Sequence, residues 1–170
     1  MHRKPSWLYS WEVREVGEDP ISLAFNKFTY GVYVVGVAHK GKVNALTCAW
    51  AMRVSHRPPL VAVSVGKTRF SHDLIAEAGS FSVNVLAQDQ LELARHFGLK
   101  SGRQMNKLAD IPYTTAKTGA PILNGVAAWM DCRLVGSCPA GDHTIFVGEA
   151  VDAWAGGRAP LPYDPRDYWG

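Results

Sequence analysis

A chain of 170 residues with 47% hydrophobic and 19% charged positions has enough apolar material for one substantial core and is not of the disordered class. Its net charge of +3, with no basic run or arm, argues against nucleic acid as a partner. Cys48, Cys132 and Cys138 form no Cys-x-x-Cys pair and leave one thiol over in any scheme, which points to a reducing cytoplasm; the sequence shows no signal peptide and no apolar run of about eighteen residues to enter a membrane.

Residues 1–20 mix Trp7, Tyr9 and Trp11 with charges and read as an arm that packs on something, because exposed Trp is costly. A short helix is expected over residues 21–28. Residues 30–38 form a strand, His39-Lys40-Gly41-Lys42 a hairpin turn, and 43–50 the returning strand. Pro58-Pro59 close a loop, and the β-branched run 60–65 is a buried strand. Ser71 to Gly79 reads as a two-turn helix with Ser71 as N-cap and Gly79 at its end. Residues 81–86 alternate as a strand, and 88–97 form a helix with Leu91, Ala94 and Phe97 on one face. The pattern weakens from 98 to 125, where Lys100, Arg103 and Lys107 sit among Gly and polar residues. Strands over 127–135 and 144–153 follow, joined by a hairpin through Cys138 to Asp142. A Pro-rich aromatic tail, about 154–170, ends the chain. Six strands without βαβ alternation predict a mostly β fold, an antiparallel six-stranded split barrel with a few short helices, in a single domain over 1–170.

Lys67, Thr68, Arg69 and Ser71 cluster beyond the strand at 60–65, and donors of this kind suit a phosphate. Two nucleotide motifs are excluded. Gly66-Lys67-Thr68 lacks the P-loop's earlier glycine, since position 61 is Val61, and no Gly-x-Gly-x-x-Gly opens a helix. A solvated loop and an anion site stand about level on these residues alone, and the helix N-terminus at Ser71 favours the anion. The histidines lie on separate elements without ligand spacing, so no metal site is expected. Cys48 and Cys132 read as core filler, not nucleophiles. Two alternatives stay open at Trp50, stacking on a planar ring or filling the core, and at His143, facing a ligand or facing solvent.

Four pieces taken together resemble the flavin reductase-like family of FMN-binding split barrels: the strand-turn-strand over 30–49 with Asn44-Ala45 and Thr47; Arg57-Pro58-Pro59 running into Ser64-Val65; His72-Asp73-Leu74-Ile75 leading to Phe81-Ser82-Val83-Asn84; and Gly141-Asp142-His143-Thr144 onward. The likeness spans about residues 28–153, and Asn44 with Trp50 is more similar to the flavoredoxin branch than to the two-component monooxygenase reductases. The resemblance implies a homodimer with one FMN per subunit. It places Asn44, Ala45, Thr47 and Trp50 at the flavin ring, Ser64 and Val65 along the slot through their backbone, and Lys67, Ser71 and Lys107 at the ribityl-phosphate. His143 would face the ring and position a nicotinamide.

The implied activity is an NAD(P)H-dependent flavoprotein oxidoreductase: hydride passes from NADH or NADPH to flavin N5, and electrons pass on to free flavin, a redox protein partner or a metal complex. The alternative is a flavoredoxin-like electron carrier with tightly bound FMN and no nicotinamide oxidation. A binding module for another ligand, such as haem, is the third class.

Overall fold

A computed structural model describes residues 19–169; nearly all of the expected N-terminal arm, including its three aromatic residues, lies outside the described residues. Helix α1 (Pro20–Phe25) is followed by strands β1 (Tyr33–His39), β2 (Lys42–Cys48), β3 (Ala51–Ser55) and β4 (Leu60–Gly66). Helix α2 (Phe70–Ala78), strand β5 (Ser80–Val85) and helix α3 (Leu91–Leu99) come next. Short strands β6 (Tyr113–Thr115) and β7 (Pro121–Leu123) precede the long pair β8 (Ala128–Ala140) and β9 (His143–Ala155), and α4 (Arg166–Trp169) closes the described chain.

Seven strands make one antiparallel sheet in the order β2-β1-β5-β8-β9-β4-β3. The sheet curls until the end of β2 meets β4, where the Cys48 thiol donates to the Ser64 carbonyl at 3.5 Å. Alternation along β1 serves two cores. Val35 and Val37 pack inside the curl with Leu46, Val63, Phe81 and Phe146, whereas Val32 and Val34 face outward to Ala45, Leu86, Ala94 and Phe97 under α3. With both faces covered, β1 is a near-continuous apolar run, as a central strand requires. Gly36 permits the close crossing of β7, because a Cβ there would lie 2.6 Å from the Pro121 carbonyl oxygen.

Both expected hairpins form with two-residue turns. Lys40 and Gly41 both have positive φ between β1 and β2, and Gly41 carries this at little cost. Gly141, φ 61°, and Asp142 join β8 to β9 so that Ala140 pairs with His143.

All six expected strands are present, and the differences lie elsewhere. Residues 51–55, for which the sequence suggested no element, form edge strand β3 against β4. Met52, Arg53 and Val54 are all exposed there, so the strand is held by backbone pairing and has no apolar alternation to betray it. Ser71 does not cap α2: Arg69 holds the cap position without a side-chain bond, and Ser71 is buried within the first turn. Gly79 ends that helix in the left-handed conformation at φ 66°. Helix α1 is shorter than expected and is capped by Asp19, whose carboxylate accepts from the Ser22 amide at 3.1 Å. The tail is a strap, not loose chain: Pro160 and Pro162 bridge to Ala87 and Gly31, and Leu161 is buried in the outer core.

Candidate active site

A groove runs between α2, α3 and the ends of β2 and β4. It consists of two cavities of about 200 Å³ each, which share Leu46, Thr47, Arg69, Gly98 and Leu99 as walls. Among the described residues that line them there is no carboxylate.

One end is cationic. Arg69, Lys100, Arg103 and Lys107 line it together with the first turn of α2, whose N-terminal partial charge has the same sign. Asn44 and Ser71 form its floor: the Asn44 side-chain amide donates to the Ser71 hydroxyl at 2.7 Å, and both residues are buried. Lys107 is only 4% exposed, its ammonium donates to the Phe97 carbonyl at 3.0 Å, and burial, followed by the Arg69 charge, brings its pKa down to about 8. His96 fixes the Lys107 backbone. Its Nε2 lies 2.7 Å from the Lys107 carbonyl, which can only accept, so Nε2 carries the proton and Nδ1 is left to accept from Lys100 at 3.2 Å. Arg103 donates to the Thr68 carbonyl at 2.8 Å and lies 5.6 Å over the Phe70 ring. Two features thus supply the chemistry of an anion site: several cations without a carboxylate among the described lining residues, and a helix N-terminus.

The other end is aromatic and more open. Trp50 is 51% exposed, so it fills no core; its ring centroid lies 5.0 Å from that of His143 across the cavity mouth. The His143 Nδ1 is 2.7 Å from Asp142. A carboxylate accepts, so Nδ1–H donates and the ring is held by the turn residue before it; this bond is the main reason the Asp142 carboxyl is more acidic than usual. Nε2 lies beside Gly66, where an added Cβ would approach to 3.6 Å. Cys48 lines the same wall, but burial pushes its thiol up to about 11, so it remains protonated and donates to the Trp50 and Ser64 carbonyls.

The ten residues expected at a site are dispersed as follows. Asn44, Thr47, Trp50, Ser64, Ser71, Lys107 and His143 all line the groove. Thr47 is partly committed, since its hydroxyl donates to the Ala94 carbonyl at 2.6 Å and ties α3 to β2. The side chains of Ala45 and Val65 point into the outer and inner cores and do not line the groove. Lys67 lies off the groove. Its ammonium donates to the Gly141 carbonyl at 2.6 Å and its amide to the Asp142 carbonyl, so it clamps the hairpin that carries His143. Arg69, two residues on, occupies the wall between the two ends. Tyr163 and Tyr168 on the tail also face the aromatic end. Only their aromatic character in a Pro-rich stretch hints at this in the sequence.

Among the described residues no group of three or more His, Cys, Asp or Glu converges as a metal site, and no helix is long and apolar enough to cross a membrane.

Residues 25–169 match the model of the flavin reductase like domain family. A ferric-chelate reductase (NAD(P)H) of Archaeoglobus fulgidus is 33% identical over 132 residues, 76% of this chain and 78% of its own length. Among solved structures, an FMN-binding protein of Thermus thermophilus with bound 1-cyclohex-2-enone superposes with a TM-score of 0.80 at 29% identity, covering 96% of this chain and 95% of that one. The NADH:FAD oxidoreductase of Streptomyces globisporus, in complex with NAD and FAD fragments, gives 0.78 at 30% identity, over 85% and 86% of the two chains. Some matched proteins are much longer: the chain spans 58% of one relative and 51% of one solved neighbour.

Proposed function

The chain belongs to the flavin reductase-like domain family, and from that premise we propose that it is an FMN-dependent oxidoreductase that takes electrons from NADH or NADPH. The observation that carries the reading is the polarity of the groove, cations and a helix N-terminus at one end and an aromatic rim with an oriented imidazole at the other. An elongated ligand with a phosphate at one end and a flat ring system at the other suits both.

When bound, FMN supplies the ring that accepts hydride and passes on electrons. The protein's own residues bind and orient it. Lys107, Arg69 and Arg103 hold the phosphate, with Ser71 and the first turn of α2 donating beside them. Asn44, Thr47, Ser64 and the backbone near Ala45 and Val65 border the slot, Trp50 covers its mouth, and His143 positions the nicotinamide at the open side. Lys67 acts through the β8–β9 hairpin. No carboxylate lines the described groove, which suits a dianion at its cationic end.

A homodimer in the cytoplasm completes the reading. The dimer's support is the apolar face of α1 and the residues after it, where Ile21, Phe25 and Phe28 are 66%, 60% and 61% exposed and stand in need of cover.

Anaerobic titration with NADH and NADPH, followed by flavin absorbance, tests the function. Bleaching by either nucleotide is the expected result. Bound FMN that only dithionite bleaches would make the protein an electron carrier, and protein without flavin absorbance after FMN is added would end the proposal.

A further inference from the structure

Gly98 stands where the two cavities of the groove meet, since it lines both of them together with Thr47 on β2. It belongs to the last turn of α3, where alanine would be the better helix former, because glycine gives up more backbone freedom on folding. A glycine inside a helix calls for a reason, and the described fold supplies none of the usual ones. The backbone there is right-handed, and Gly98 is not among the residues with positive φ. Nor is it the cap: Lys100 ends the helix with an extended backbone, φ −104° and ψ 151°.

No other part of the described chain crowds its α-carbon. At Gly36 and Gly148 an added Cβ would come within 2.6 Å of the Pro121 carbonyl oxygen and of the Phe81 ring, so those glycines are required by packing. At Gly98 the three nearest atoms would all belong to Thr47, at 3.4, 3.6 and 3.9 Å, which is ordinary contact. Thr47 is itself groove wall, held by the bond from its hydroxyl to the Ala94 carbonyl at 2.6 Å. A methyl group on Gly98 would thus rest against a lining residue, in space that the protein leaves open. A bound molecule is then the reason for the missing side chain, because glycine lets a ligand approach the backbone closely.

We propose that Gly98 is a ligand-binding residue whose bare α-carbon makes room for the flavin's ribityl chain, the polyhydroxylated link between ring and phosphate. The inference rests on the flavin reading above. With the ring at Trp50 and His143 and the phosphate at Lys107 and Ser71, the residues shared by both cavities border whatever joins the two.

The test is Gly98→Ala. The melting midpoint of the ligand-free variant should equal or exceed that of wild type, because alanine favours the helix and meets only ordinary contact. The dissociation constants of FMN and riboflavin, which share the ribityl chain, should both rise by a similar factor, about tenfold, the scale of one methyl group forced into filled space. At saturation the absorbance spectrum of the bound flavin should match that of wild type, since the ring keeps its surroundings. A lower ligand-free midpoint would overturn the role, because the fold itself would then require the glycine. Unchanged affinity for both flavins would also overturn it. So would a loss confined to FMN, which belongs to the phosphate, or an altered spectrum, which belongs to the ring. Wild-type protein that binds no flavin ends the functional reading itself, a result distinct from a variant that binds as wild type does.

Discussion

The side-chain amide of Asn44 bonds to the Ser71 hydroxyl at 2.7 Å, while its oxygen points at the α-carbon of Gly102, with no room between them for a methyl group. One buried side chain thus joins β2, the first turn of α2 and the loop after α3. Donation from Asn44 occupies one lone pair of the Ser71 hydroxyl and leaves its proton available to the groove.

Gly102→Ala tests this convergence. The new Cβ would meet the Asn44 oxygen and, at 2.7 Å, the Phe70 ring. Stability is expected to fall by about 1–3 kcal/mol, as for overpacking elsewhere, with weaker FMN binding as the floor of the anion site shifts. Thermal melts with and without FMN measure both effects. A variant with wild-type stability and affinity would show that the loop moves aside freely.

Lys107→Ala should weaken FMN binding by about 1–3 kcal/mol and leave riboflavin binding almost unchanged, the signature of a charge-assisted bond to phosphate. Equal losses for both ligands would remove Lys107 from the phosphate site. A pH effect follows as well. Its pKa is about 8 in the fold against an ordinary 10.5, so between these values the unfolded chain binds more protons than the native one. Lys107 therefore makes the ligand-free protein more stable as pH rises through that window, and Lys107→Met should flatten the rise. FMN should do the same, because a phosphate favours the charged ammonium.

His143 is held by Asp142 at 2.7 Å and faces Trp50, a geometry for orienting a planar partner. His143→Ala should leave FMN affinity and the bound-flavin spectrum nearly unchanged. Anaerobic reduction by the preferred nicotinamide should slow tenfold or more, on the order of 1.4 kcal/mol in the barrier. Dithionite should reduce both proteins alike. Equal nicotinamide-driven rates would take His143 out of the site and favour the electron-carrier alternative.

Light scattering at micromolar concentration should give about twice the chain mass of 18.6 kDa. Phe25→Ser with Phe28→Ser should shift the protein toward monomer, because these rings are exposed on α1 and just beyond it. A monomeric wild type that still binds FMN would place the whole site within one chain.

What the sequence determined by itself is whatever short-range chemistry controls. Gly41, Gly79 and Gly141 mark turns and a helix end because few other residues take a left-handed backbone cheaply, and the apolar run of β1 and the alternating Phe81, Val83 and Val85 of β5 mark strands. The order of motifs carried the family, since Asn44, Ser64, Ser71 and His143 belong to elements that each announce themselves. The tertiary structure alone decided which cation faces the groove. Lys67 and Arg69 are two residues apart with equal charge, but the first reaches back to the Gly141 carbonyl, 74 positions away, and the second lines the cavity wall. It likewise brought Lys107 out of a segment without periodicity and placed Tyr163 and Tyr168 beside the ends of β2 and β4, about a hundred residues earlier. Edge strand β3 was hidden for a related reason: its bonds are made by backbone groups, which every residue carries and no side-chain pattern records.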